Sequence, residues 1–101
     1  MIRHIVLFKL EDSYTDTEKA GIKTQLKSML LDLQHKIDEI KSISVWLRTE
    51  QASSASSDIM LDSTFDSLET LEQYRVHPAH IKVLEYVNNL KLQRASIDYD
   101  C

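Results

Sequence analysis

The chain is expected to fold as an α+β domain of the ferredoxin-like βαββαβ class. Four antiparallel strands would form one sheet, with the helices on one face. Three observations predict this. Strand-like segments fall at residues 2–10, 41–49, 58–65 and 91–99. Helical segments with capping signatures lie between the first and second strands and between the third and fourth, which is the split βαβ order. The first strand carries a continuous apolar run, Ile5-Val6-Leu7-Phe8, where a half-wet antiparallel strand would alternate. The sheet therefore needs two covers. Helices supply one, and a two-fold copy of the chain is the simplest second, so a sheet-to-sheet homodimer is expected.

Each element has a local reason. Ile2 to Leu10 is rich in β-branched and aromatic residues and reads as a strand. Thr15-Asp16-Thr17-Glu18 is a capping box, in which the Thr15 hydroxyl and the Glu18 carboxylate satisfy each other's backbone amides. A helix over roughly 16–38 follows, with Ile22, Leu26, Met29, Leu30, Leu33, Ile37 and Ile40 in one apolar stripe. Gly21 lies early in it, where glycine costs up to ~1 kcal/mol against alanine; a close contact there is one reading, no role the other. Residues 41–49 alternate, with Ile43, Val45 and Leu47 on one face and Ser44, Trp46 and Arg48 on the other. The small polar residues 50–57 read as a loop. In the strand 58–65, Ile59, Leu61 and Phe65 share a face with Ser63. Asp66 is expected to cap the next helix, with Glu69 three residues on and Leu68, Leu71 and Tyr74 inward. His77-Pro78 interrupts it, because proline lacks an amide proton and suits a first helical position. His77 then caps a second helical piece over 79–89, with Ile81, Leu84 and Val87 or Val83 inward. In the last strand Leu92, Arg94, Ser96 and Asp98 share one face and Ala95, Ile97 and Tyr99 the other.

Composition narrows the function classes. Twelve basic and sixteen acidic residues leave a net charge of −4, which disfavours nucleic acid as a partner. One glycine and one proline exclude Gly-rich phosphate loops, the dinucleotide fingerprint and the calcium loop. The single cysteine, Cys101, excludes an intrachain disulfide and a multi-thiolate zinc site. A reduced, cytoplasmic setting is expected. No apolar run approaches the ~20 residues of a membrane span, and Ile5–Phe8 is too short for a signal core. One domain over 1–101, without metal or cofactor, is the resulting expectation.

Four stretches carry a resemblance: HIVLFKL at 4–10, FDSLETL at 65–71, Tyr74-x-x-His77-Pro78-Ala79-His80, and Ile97-Asp98-Tyr99. With them the chain resembles the stress-responsive A/B barrel domain family of dimeric α+β barrels over nearly its whole length. The resemblance implies that two sheets pack face to face to close a barrel. Activities in this family vary. A plant member closes a linear polyketide acid by aldol chemistry without a cofactor, and its tyrosine and histidine are matched here by Tyr74 and His80. Related barrels include metal-free monooxygenases, and others resemble stable structural proteins.

Tyr74 and His80 are therefore the candidate catalytic pair. Six residues on a straight helix turn about 600°, or 240° net, which would point them apart. The break at His77-Pro78 is what allows convergence. Near a helix N-terminus His80 would stay neutral and able to remove a proton α to a carbonyl, with Tyr74 donating to the enolate oxygen. His4, Asp98, Arg94, Phe8, Leu26 and Leu61 are the candidate substrate contacts. His4 shares a face with Val6 and Phe8, and Asp98 is placed to orient His80 or His4. The blander readings stand beside these: Tyr74 as packing with a polar tip, His4 and Asp98 as a hydrogen-bonded pair. Arg94 implies an anionic ligand or an ion pair with Asp98, and the ion pair is the favoured expectation. Relative to the cyclase, Ile22, Lys23 and Leu26 stand at pocket-lining aromatic positions, and Arg94 replaces an apolar residue. A small carbonyl or polyketide-like ligand is one functional reading; a non-catalytic binding module or a structural dimer is the alternative.

Overall fold

The computed structural model describes residues 1–101. Its elements are β1 (Ile2–Leu10), α1 (Asp16–Lys36), β2 (Ser42–Leu47), β3 (Ile59–Phe65), α2 (Leu68–Val76), α3 (Pro78–Asn88) and β4 (Leu92–Asp100). The strands form one antiparallel sheet in the order β2-β3-β1-β4. This is the expected ferredoxin-like architecture, with the helices on one face.

Strand alternation sets the two faces. On the helix side Ile2, His4, Val6, Phe8 and Leu10 of β1 are all buried, as are Ile59, Leu61, Ser63 and Phe65 of β3. α1 lays Leu26, Leu30 and Leu33 onto this surface and ends at Lys36, with Ile37 as its buried C-cap. The Thr15–Glu18 capping box forms with both reciprocal bonds, at 3.1 and 2.8 Å. A Cβ on Gly21 would meet nothing within 4 Å, so no close approach requires glycine there.

The opposite face has no cover from the chain. Cross-strand register places Trp46, Met60, Leu7 and Ala95 in one row and Ser44, Asp62, Ile5 and Ile97 in the next. Trp46 is 60 % exposed and Ile97 58 %. Arg3 grips Asp62 on this face through two parallel hydrogen bonds of 2.9 and 2.6 Å, which hold the Asp62 carboxyl below the usual carboxylate range.

Several local expectations are corrected. α2 is capped by Ser67 rather than Asp66, and its box partner is Thr70 rather than Glu69. A hydroxyl pair closes the box at Ser67, one residue later than the carboxylate reading. With that shift Leu68 becomes the first residue of the helix and points outward, 64 % exposed, while Leu71 and Tyr74 are buried as expected. In α3 Val83 and Val87 form the inner stripe, and Ile81 faces solvent. β4 lies at the sheet edge beyond the helix layer, and no residue of it is fully buried.

Asp58 was not singled out from sequence, yet it is buried and accepts the Leu10 amide at 2.8 Å. Lys23 and Arg48 flank its carboxylate at 3.8 Å. Together they fasten the loop before β3 to the end of β1.

Candidate functional site

The α2–α3 break builds the site. His77 has an extended backbone and serves both helices: its amide bonds back to Tyr74, and its ring Nδ1 accepts from the Ala79 amide at 3.0 Å. Proline at the next position cannot continue the α2 ladder, so the chain turns and starts α3. The turn folds His80 back onto α2, bringing the Tyr74 and His80 ring centroids to 4.4 Å. The obstacle of a straight helix is removed in this way.

The last turn of any helix leaves carbonyls without intrahelical partners. Here one of them, Arg75 O, lies 3.0 Å from His80 Nδ1. A carbonyl only accepts, so Nδ1 carries the proton and donates. In the neutral ring the Nε2 lone pair is then free. Burial pushes the His80 pKa down, against the Arg75 carbonyl bond that pulls it up, and the charges of Arg75 and Arg94 add to the depression. A neutral imidazole with a fixed tautomer results.

Tyr74 is 1 % exposed and packs at 5.0 Å from Phe65 and 6.0 Å from His4, centroid to centroid. Burial pushes its phenol up to about 12, so it stays protonated at neutral pH. No fully buried side-chain polar atom lacks a partner. The Tyr74 hydroxyl has no partner in the chain, so it must reach open space, and the space available is the cavity that Tyr74 lines.

That cavity, about 220 Å³, lies between the helix face of β1 and β4 and the α2–α3 corner. His4, Phe8, Leu61, Tyr74, His80 and Arg94 all line it, so six of the eight expected residues meet there. Asp98 adjoins it: one carboxylate oxygen accepts a hydrogen bond from His4 Nδ1, and the other accepts from Arg75 Nη2 at 2.7 Å. Leu26 stands apart, wholly buried in the core and not on the cavity wall. The expected Arg94–Asp98 pair does not form, because Asp98 is taken by His4 and Arg75. Four residues of strand also separate Arg94 from Asp98, roughly 13–14 Å at ~3.4 Å per residue. Of the two ring candidates, Asp98 orients His4 and not His80.

Arg75 and Ser96 are site residues that the sequence reading missed. Ser96 shares a strand face with Arg94 and Asp98, which was a usable signal. Arg75 gave none, because its reach to β4 depends on the angle of the helix break. No group of three or more His, Cys, Asp or Glu side chains is placed to hold a metal. No helix is long and apolar enough to cross a membrane.

Solved structures share this fold. A dimeric ferredoxin-like protein of unknown function from Bacteroides fragilis matches with a TM-score of 0.90 and 33 % identity, over 99 % of this chain and 95 % of that one. A dimeric ferredoxin-like protein of unknown function from Thermobifida fusca matches with a TM-score of 0.81 and 23 % identity, over 99 % and 90 % of the two chains. The hydroxynitrile lyase of Passiflora edulis matches with a TM-score of 0.76 and 16 % identity, over 97 % and 90 %, a likeness of fold alone. Comparison with curated proteins gives no match. The model of the stress responsive A/B barrel domain matches residues 2–101, nearly the whole length: the chain belongs to that family.

Proposed function

We propose that the protein is a homodimeric, cofactor-independent enzyme acting on a small carbonyl compound, with His80 as base and Tyr74 as hydrogen-bond donor to the carbonyl oxygen. The observation that carries this is the His80 tautomer. Its Nδ1 proton is committed to Arg75 O at 3.0 Å, so Nε2 offers a lone pair beside a phenol with an unoccupied hydroxyl, in one cavity. A base at Nε2 would take a proton α to the carbonyl, and negative charge would develop on the oxygen. Tyr74, protonated at neutral pH, would stabilise that oxygen. His4, held by Asp98, supplies a second polar wall.

The dimer reading rests on the bare sheet face, where Leu7, Trp46, Ile97 and Tyr99 are all exposed. The Bacteroides fragilis and Thermobifida fusca neighbours are described as dimeric, which supports carrying that assembly to this chain.

The test is deuterium incorporation α to the carbonyl, followed by proton NMR in D₂O over a panel of small ketones and keto acids. Wild type should accelerate exchange of at least one compound. His80→Ala should abolish the acceleration, and Tyr74→Phe should lower it by about 10²–10³, the usual loss for one oxyanion donor. Exchange that is equal in wild type and His80→Ala sinks the enzymatic reading and leaves a binding module.

A further inference from the structure

The polar wall of the cavity is unbalanced in charge. Two arginines, Arg75 and Arg94, line it together with His4, Tyr74, His80 and Ser96, and no carboxylate does. Arg75 is already neutralised: Asp98 accepts from it at 2.7 Å, and Glu72 lies 3.8 Å away. Arg94 is different. None of the ion pairs in the chain includes it. A free guanidinium thus faces a pocket that no carboxylate lines, in a chain whose net charge is −4.

Its position along the strands matters. Register pairs His4 with Asp98, Val6 with Ser96 and Phe8 with Arg94. The Tyr74–His80–His4 cluster sits at the first of these rows and Arg94 at the third, with Val6, Leu61 and Val83 of the apolar wall between or beside them. The cavity is therefore two-ended: proton-transfer groups at one end, an unpaired planar cation at the other. Guanidinium groups bind carboxylates through two parallel hydrogen bonds.

We propose that Arg94 makes this cavity selective for a compact organic carboxylate, which it holds by the charged end while the rest of the ligand points toward Tyr74 and His80. The inference deepens the reading above and rests on it only for the carbonyl group of the ligand. The size fits. An apolar cavity of about 150 Å³ holds benzene, and about 220 Å³ is present here. Pockets for drug-sized ligands run larger, at roughly 300–1,000 Å³. Arg94 is solvent-accessible, so its contribution is that of a screened rather than a buried charge.

The experiment is a titration of the ¹⁵N-labelled protein with benzoate and with benzamide, which share a shape and differ in charge. Benzoate should bind about tenfold more tightly at low salt, a difference of about 1.4 kcal/mol. The shifted amides should include Val6, Ser96 and His80. Arg94→Gln should abolish the preference and leave benzamide affinity unchanged; Arg94→Lys should keep part of it; His80→Ala should keep all of it. The proposal is overturned if Arg94→Gln retains the preference, if neither probe shifts cavity amides, or if the shifts map to another groove. Failures separate cleanly. A benzoate preference without any deuterium exchange keeps the anion site and removes the chemistry. Exchange of neutral ketones, together with an Arg94→Gln variant that keeps the benzoate preference, keeps the chemistry and removes the anion site.

Discussion

Replacing Tyr74 by phenylalanine separates the hydroxyl from the ring that carries it. The ring is 1 % exposed and lies 5.0 Å from Phe65 and 4.4 Å from His80 by centroids. Phenylalanine keeps those contacts. The hydroxyl has no partner within the chain, so its removal forfeits none of the ~0.5–1.5 kcal/mol that a typical internal hydrogen bond contributes. The expected change in stability is within about 0.5 kcal/mol, the range of substitutions that disturb no packed or bonded group. At ~4–8 °C per kcal/mol for a domain near this size, the Tm should move by less than about 4 °C. Tyr74→Ala is the contrast, because it empties a packed site. A cost of about 3–5 kcal/mol, or a Tm fall of roughly 12 °C or more, follows. Thermal and urea unfolding by circular dichroism would measure both, at one protein concentration, since dimerisation makes Tm concentration-dependent. If Tyr74→Phe costs about 1.5 kcal/mol or more, the hydroxyl is bonded within the fold and its assignment to the cavity is wrong.

Three further outcomes follow from the same geometry. The folded-state pKa of His80 lies below its ordinary 6.5, so the unfolded chain binds the extra proton first, and the contribution of His80 to stability is complete above about pH 6.5 and lost as pH falls through the folded value. Urea-derived stability should therefore fall more for wild type than for His80→Gln between about pH 7.5 and about pH 5, and equal slopes would contradict the assignment. Asp98→Asn should cost about 0.5–1 kcal/mol in urea unfolding, because Arg75 loses the nearer of its two counter-charges in a part-exposed pair, and an unchanged midpoint would show the bridge to be idle. Trp46→Glu puts a charge on the bare sheet face and should weaken the dimer by at least ~2 kcal/mol, about thirty-fold in dissociation constant by sedimentation; an unweakened dimer would place the interface elsewhere.

The legible parts of the fold were those set by local chemistry. The Thr15–Glu18 box, the Ile5–Phe8 run and the Pro78 break each act over a few residues, so each could be read before any packing was known. The errors fell where two local signals compete or where packing decides. At 66–70 the sequence offers both Asp66 with Glu69 and Ser67 with Thr70, and the spacing rule cannot rank them. Arg94 and Asp98 share a strand face, which made a pair plausible on paper; the length of the strand and the reach of Arg75 from α2 decide otherwise. Leu26 fits the inner stripe of α1, but which stripe residues touch the core and which touch a void depends on helix placement. The meeting of Tyr74 with His80 depended on one proline and could be anticipated; the carbonyl that fixes the histidine tautomer could not.

The edge position of β4 divides two kinds of information between different residues. Foldability is written in β1, β3 and α1, whose inward side chains are sealed. In the proposed anion site, ligand charge is read by a strand with no fully buried residue, where Arg94 and Ser96 line the cavity and substitutions ordinarily shift stability by no more than about 0.5 kcal/mol. On that proposal, substitutions at those two positions would redirect the pocket from one ligand charge to another while the scaffold stays as stable as before. A protein built this way can acquire new specificities by single steps, each of them viable as a folded chain.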